Sequence, residues 1–333
     1  MFTNNHTPGD TKQPAMRWTG KKVGLALGGG GVRGLAHIGV MQVLEKEGIK
    51  IDLIAGTSAG ALIGGAYAAG MTPREIAAKV ESYLQSSEFE ESAIRSMGLS
   101  FSTGPKNFFE RAQIFARNQY YLLKALFRPS ILPAEDFQSL IHYLLPEVDI
   151  RDTRIPFYAV STDLITGRQV VLHEGSLRQA VLASSSVPGA VEPTRLGEWL
   201  LADGGVTSLV PVHAARAAGA DVVIAVTVDR DLPKDTDIET AKDVLYRAGE
   251  ITANALETAE LQNADVVIRP AVGDLHWSDF SRSQHLIKVG EDAARASLEK
   301  IGSSLPFARR LSRFARRLLR QEQQPGNRHP DPS

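Results

Sequence analysis

The stretch that most restricts what this chain can fold into is Gly56-Thr57-Ser58-Ala59-Gly60. An apolar run, Ile51-Asp52-Leu53-Ile54-Ala55, precedes it and reads as a short buried strand. Small, helix-compatible residues follow from Ala61 to Ala69. A strand, a sharp turn and a helix bring two backbones so close that a Cβ at position 56 or 60 would clash, so glycine stands at both. The turn lifts the Ser58 hydroxyl past the strand end, and the helix N-terminus behind it favours negative charge there. Taken alone, the pattern fits a plain small-residue turn as well as one that presents a nucleophile.

The surrounding chain alternates strand with helix. Lys22 to Leu27 reads as the first strand, and Gly28-Gly29-Gly30-Gly31-Val32-Arg33-Gly34 follows at once. Leu35 to Glu47 has helical spacing and is closed by Gly48. Thr72-Pro73 opens another helix, with threonine as N-cap and proline at its first position. Such alternation predicts a mostly parallel sheet covered on both faces. Pro156 to Thr162 and Arg168 to His173, joined at Thr166-Gly167, predict a hairpin. A helix from Leu177 leads to Ser184-Ser185-Ser186-Val187-Pro188-Gly189, and the strand Glu198 to Ala202 runs into Asp203-Gly204-Gly205. Further strands are expected at Val222 to Val228 and Val266 to Ile268, and a last helix over 282–300.

Residues 86–135 interrupt this rhythm. Aromatics crowd one part of them: Phe101, Phe108, Phe109, Phe115, Tyr120, Tyr121 and Phe127. The segment reads equally as a cap lining an apolar channel and as an extra helical layer with its own small core.

Composition narrows the chemistry. The 333 residues carry a net charge of -1, which gives no overall pull toward nucleic acid. Without cysteine there is no disulfide framework, thiolate nucleophile or cysteine-ligated metal. Residues 1–20 contain no apolar core of a signal peptide, and no run approaches the ~18 apolar residues of a membrane span. The expectation is a cytoplasmic protein with no cofactor and no metal.

The glycine run has two readings. Gly29-x-Gly31-x-x-Gly34 matches a dinucleotide fingerprint, which also wants an acid at the end of the second strand. Asp52 instead sits at the start of that strand, and the serine turn occupies its end. The other reading is a concavity of backbone amides that binds an oxyanion. A nucleophilic serine needs a base, yet none of the eight histidines has a catalytic signature, and His37 reads as a packed helix residue. Asp203, at a strand end before two glycines that permit close approach, is the acid that stands out. Asp163 is second, although a hairpin turn accounts for it.

Together these motifs resemble the patatin-like phospholipase family, including bacterial members related to the neuropathy target esterase catalytic domain. The family's G-G-G-x-[KR]-G stands here as Gly29-Gly30-Gly31-Val32-Arg33-Gly34, its G-x-S-x-G as Gly56 to Gly60, and its D-G-[GA] as Asp203-Gly204-Gly205. A serine-rich segment ending in proline matches Ala183 to Pro188. The resemblance implies a three-layer α/β/α fold and metal-free hydrolysis of fatty-acyl esters of phospholipids or lysophospholipids. It implies Ser58 as nucleophile, Asp203 as its base, and the amides of Gly29, Gly30 and Gly31 as the oxyanion hole. The rivals are an acyltransferase using the same acyl-serine and a nucleotide-binding regulator using the glycine loop.

Beyond these motifs, residues 307–320 hold six arginines and no acid. On a helical projection Phe307, Ala308, Leu311, Phe314, Ala315, Leu318 and Leu319 share an arc of roughly 140°. Arg309, Arg310, Arg313, Arg316, Arg317 and Arg320 share a separate arc of roughly 120°. Such a helix either lies on an anionic membrane surface, at the inner face of the membrane, or docks on the domain. The organisation expected is a tail at 1–20, one acyl hydrolase domain at 21–302 with an insertion at 86–135, and the basic helix with a polar tail at 303–333.

Overall fold

The computed structural model describes residues 21–92, 134–229, 232, 238–273 and 280–305. The aromatic run at 101–127, the terminal tail at 1–20 and the arginine helix all lie outside them.

Strands β1 (Val23–Leu27), β2 (Leu53–Thr57) and β7 (Val222–Val226) are buried along their whole length. Residues that bury on both faces form near-continuous apolar runs, and that is the mark of a parallel sheet sandwiched between helices. With β3 (Phe157–Asp163), β4 (Gln169–Leu172), β5 (Thr194–Leu196), β6 (Trp199–Asp203) and β8 (Val266–Ile268) they build, among the described residues, one sheet of eight strands. Hydrogen-bonded neighbours run β5–β6–β3–β2–β1–β7–β8, with β4 on β3. The pairs among β1, β2, β3, β7 and β8 are parallel; β4, β5 and β6 enter antiparallel.

Side chains alternate across β1. Val23, Leu25 and Leu27 face one core, which is covered by α1 (Ala36–Lys46), α2 (Ala59–Ala68), α3 (Pro73–Leu84), α5 (Ala134–Leu144) and α6 (Leu177–Ser184). A short helix, α4 (Ser87–Glu91), follows α3. Small residues, Gly24 and Ala26 with Ala55 and Ala225, face the other side. There α7 (Val212–Ala217) and α8 (Ala241–Leu261) cover the sheet. The three-layer α/β/α arrangement is therefore the one the alternation predicted.

Boundaries moved where tertiary pairing decided them. The second strand runs to Thr57 instead of Ala55, because Gly56 pairs with Leu27 and Ala159 and Thr57 pairs with Val160. The expected last helix is two, α9 (Ser283–Ala296) and α10 (Leu298–Ser304), separated at Ser297. Strand β5 carried no sequence signal; it is three residues long and exists by pairing with β6. Thr72 and Glu75 form the reciprocal capping box that opens α3.

Helices α1 and α9 touch backbone to backbone. A Cβ on Gly39 would lie 1.9 Å from the Ile287 carbonyl oxygen, and one on Gly290 would lie 2.0 Å from that of Ala36. No described helix is long and apolar enough to cross a membrane.

Candidate active site

The site lies where two strands meet end to end. Ala159 pairs with Gly56 of β2 and with Leu172 of β4, so β2 and β4 lie on opposite edges of β3. Thr162 pairs with Gln169 of β4 and with Ala202 of β6, so β6 shares the edge that β2 uses. Strand β2 stops opposite Val160 at Thr57, and β6, running the other way, stops opposite Ser161 at Asp203. Consecutive residues of one strand thereby bring together Ser58 and Asp203, 145 positions apart in the chain. A Cβ on Gly204 would sit 2.3 Å from the Val160 carbonyl oxygen, so glycine is what lets the two ends close up.

Ser58 is held in a strained conformation, φ 54 and ψ -122, and among the described residues no other non-glycine has positive φ. Strain of this kind persists only where neighbours over-determine it. A Cβ at Gly60 would lie 2.1 Å from the Leu27 carbonyl oxygen, one at Gly56 2.6 Å from that of Gly60, and one at Gly34 2.5 Å from Ala59 Cβ. Hydrogen bonds finish the clamp. Ser58 N–H donates to Ser184 Oγ at 3.0 Å, and that hydroxyl donates to the Val160 carbonyl at 2.6 Å. Thr57 Oγ1 donates to the Ser208 carbonyl at 2.9 Å.

Asp203 is buried. Its Oδ1 accepts the Gly205 N–H at 2.7 Å, which caps the Gly204–Val206 turn, and its own N–H donates to the Ser186 carbonyl at 2.8 Å. Oδ2 is buried without a well-aligned hydrogen bond. Burial pushes the carboxyl up to about 6; the Ser58 hydroxyl and the Gly205 N–H each pull it partly back. Asp163, the second acid, is spent on its hairpin: it accepts from the backbone of Ile165, Thr166 and Leu200 and from the Thr166 hydroxyl.

The glycine loop stands beside Ser58. Gly29 N–H donates to the Leu209 carbonyl at 3.0 Å, which removes Gly29 from the three amides expected to hold an oxyanion. No acceptor among the described residues takes the amides of Gly30 and Gly31. Both lie at positive φ, 155 and 59, at the start of the turn Gly31–Leu35 that leads into α1. Arg33 fixes the loop from behind, with Nε on the Gly30 carbonyl at 3.2 Å and Nη2 on Asp229 at 2.8 Å. Holding that carbonyl also sets the direction of the Gly31 N–H in the same peptide plane. His37 Nε2 donates to the Gly28 carbonyl at 2.8 Å; burial lowers its pKa to about 4, so it is a neutral packed residue as its sequence implied. Asp52 accepts the Val23 N–H at 2.7 Å, at the strand end remote from the loop, away from where a ribose-binding acid would stand.

These groups open into one cavity of about 960 Å³. Gly29 to Gly31, Ser58 and Asp203 form its polar floor, and apolar side chains form the walls. Leu62, Val80, Tyr83, Phe137, Leu140 and Phe280 line it, as do Val206, Leu209, Leu245 and Leu256. Helix α8 also carries two buried carboxylates, Glu257 and Glu260, behind the loop. Neither was visible as a site residue, because one apolar-facing acid in a 21-residue helix has no local signature.

The family pattern of the patatin-like phospholipases matches residues 25–216, more than half of the chain. The chain belongs to that family. Among its patatin-like relatives, an uncharacterised NTE family protein of Mycobacterium tuberculosis is 30% identical over 309 residues, covering 86% of this chain and 48% of that protein. The lysophospholipase NTE1 of Candida glabrata is 27% identical over 308 residues, covering 85% of this chain and 16% of that protein. The chain thus spans about half, or less, of the length of these relatives. The crystal structure of VipD from Legionella pneumophila aligns at 15% identity with a TM-score of 0.46, covering 84% of this chain and 67% of that one.

Proposed function

We propose that this chain is a serine acyl hydrolase that cleaves fatty-acyl esters of phospholipids or lysophospholipids. The observation that carries the proposal is the end-to-end meeting of β2 and β6 on β3, which sets Ser58 against Asp203 at the floor of an apolar cavity. In this reading Ser58 Oγ attacks the ester carbonyl while Asp203 Oδ2 accepts its proton. The tetrahedral oxyanion is met by the amides of Gly30 and Gly31, with Gly29 holding the loop. Collapse expels the lyso-lipid or glycerophospho alcohol, which takes the proton back from Asp203. Water, deprotonated by the same carboxylate, then releases the fatty acid and frees Ser58. A carboxylate is a weak base for a hydroxyl, so pushing Asp203 up toward neutrality improves the match. A well-aimed oxyanion donor adds about 3–4 kcal/mol. The apolar walls take the acyl chain.

Two finer parts rest on sequence alone. The catalytic domain is proposed to span 21–302, and the six arginines from Arg309 to Arg320 to hold it at an anionic membrane surface. Vesicle sedimentation of the full chain against a 303–333 deletion reads the second, with salt-sensitive binding lost on deletion as the expected result. The decisive experiment for the reaction is hydrolysis of a lipid panel by wild type beside Ser58→Ala, with products analysed in the presence of added glycerol. Release of free fatty acid by the wild type alone is expected. New esters of glycerol in place of fatty acid would make the chain an acyltransferase, and equal turnover by Ser58→Ala would sink the assignment.

A further inference from the structure

Three motifs that lie far apart in sequence converge on the segment 208–210. The Ser208 N–H donates to the Gly204 carbonyl at 2.8 Å, inside the turn that follows Asp203. The Ser208 carbonyl accepts the Thr57 hydroxyl at 2.9 Å, next to the nucleophile. The Leu209 carbonyl accepts the Gly29 N–H at 3.0 Å, in the glycine loop. What anchors this segment from outside the motifs is a side chain of α8. Ser208 Oγ donates to Glu260 Oε1 at 2.6 Å, and the Val210 N–H reaches the same carboxyl.

We propose that Glu260 is a positioning residue of the Ser58 site, holding segment 208–210 so that the nucleophile turn, the glycine loop and the Asp203 turn keep one fixed relation. This rests on the serine hydrolase reading above. A buried acid is costly unless its bonds are needed, and Glu260 is 4% exposed, with no hydrogen bond to Oε2 among the described residues. An apolar residue would fill the same space but offer nothing to the Ser208 hydroxyl or the Val210 N–H.

The charged groups around it are few and can be named. Glu257, three residues earlier on α8, accepts the Thr227 hydroxyl and lies in the field of Asp229, Arg269 and Arg33. Arg33 in turn holds the Gly30 carbonyl. Burial, reinforced by Glu257, raises the Glu260 carboxyl to about 7, against the pull of Ser208 and Val210. In the neutral acid Oε1 still accepts from the Ser208 hydroxyl. Glutamine reproduces that neutral form, whereas alanine removes the anchor.

The test follows Ser58 labelling by a fluorophosphonate probe and p-nitrophenyl butyrate kinetics from pH 5 to 9. It compares wild type, Glu260→Gln, Glu260→Ala and Ser208→Ala, with melting temperatures measured alongside. Glu260→Ala is expected to lose roughly 10–100-fold in labelling rate and kcat with KM little changed, as a misplaced reacting group does. Glu260→Gln is expected to recover most of that loss. A folded Glu260→Ala that labels at the wild-type rate overturns the proposal. If Glu260→Ala does not fold, wild-type kinetics in Ser208→Ala overturns it instead. Absence of labelling in the wild type itself overturns the serine hydrolase reading underneath.

Discussion

The two sides of the site are fixed by different physics. On the β1–β2 side backbone meets backbone, and position is set by what cannot fit: a Cβ at Gly60 or Gly56 would overlap a neighbouring carbonyl oxygen. On the β6 side one steric contact, Gly204 against the Val160 carbonyl, is joined by hydrogen bonds through side chains: the Ser58 N–H on Ser184, the Gly205 N–H on Asp203 and the Ser208 hydroxyl on Glu260. Steric fixation tolerates no substitution and leaves a fixed glycine motif. Hydrogen-bonded fixation tolerates isosteres and degrades by steps.

The largest expected effect treats both sides alike. Ser58→Ala and Asp203→Asn should each cut esterase activity by roughly 10⁴-fold or more, as loss of a member of a catalytic pair does. An asparagine amide in place of the Asp203 carboxyl keeps an acceptor for the Gly205 N–H, so that variant should remain folded. Activity retained by Asp203→Asn but lost in Asp163→Asn would move the base to the hairpin.

Next in size, Gly60→Ala separates the two sides. It should destabilise by about 4 kcal/mol or more, because the obstructing atom is the Leu27 carbonyl oxygen and cannot swing away. A denaturation curve close to wild type would show that the turn Gly56 to Gly60 yields, and that the contrast with the β6 side is weaker than drawn.

The third prediction concerns pH. The folded carboxyl of Asp203 sits at about 6, above its ordinary 3.8, so folding favours its protonated form. The stability this gives is complete below pH ~4 and is lost as pH rises through about 6, whereas esterase activity needs the ionised base and rises over the same interval. Asp203→Asn should therefore be more stable than wild type at pH 8 by roughly 3 kcal/mol, and the advantage should vanish near pH ~4. Melting temperatures of the two proteins across that range decide it; a constant gap would mean that Asp203 is not a desolvated acid.

The smallest effect should come from Ser58→Gly, which relieves the positive φ and is expected to stabilise by about 1 kcal/mol while abolishing activity. A loss of stability would show that the Ser58 side chain, and not its backbone, holds the turn.

The same contrast explains what could be read from the sequence. The glycines at 30, 34, 56, 60 and 204 were legible because steric exclusion leaves one residue type possible, and because strand–helix alternation surrounds them. The meeting of β2 and β6 was not, since which edge of β3 receives β6 depends on β4 occupying the other. Ser184 looked like one serine in a serine-rich segment, although it is the one that clamps the nucleophile's amide. The Gly29 amide, expected to face an oxyanion, is engaged by the carbonyl of Leu209, 180 positions away in the chain. Glu260 sits 52 positions from the serine it anchors, and no local pattern links such a pair.

The glycine-to-carbonyl contacts between α1 and α9 bear on how far the working unit extends. The family pattern ends at residue 216 and the last catalytic motif at Gly205, yet α1, which continues directly from the glycine loop, has its outer surface closed by Ile287 and Gly290. A shortened gene product ending after the last motif would strip α9 from Ala36 and Gly39 and leave the loop's supporting helix without its backing. Any fragment meant for expression, tagging or domain grafting therefore has to carry the chain through α10, about ninety residues beyond the point where recognisable family character stops.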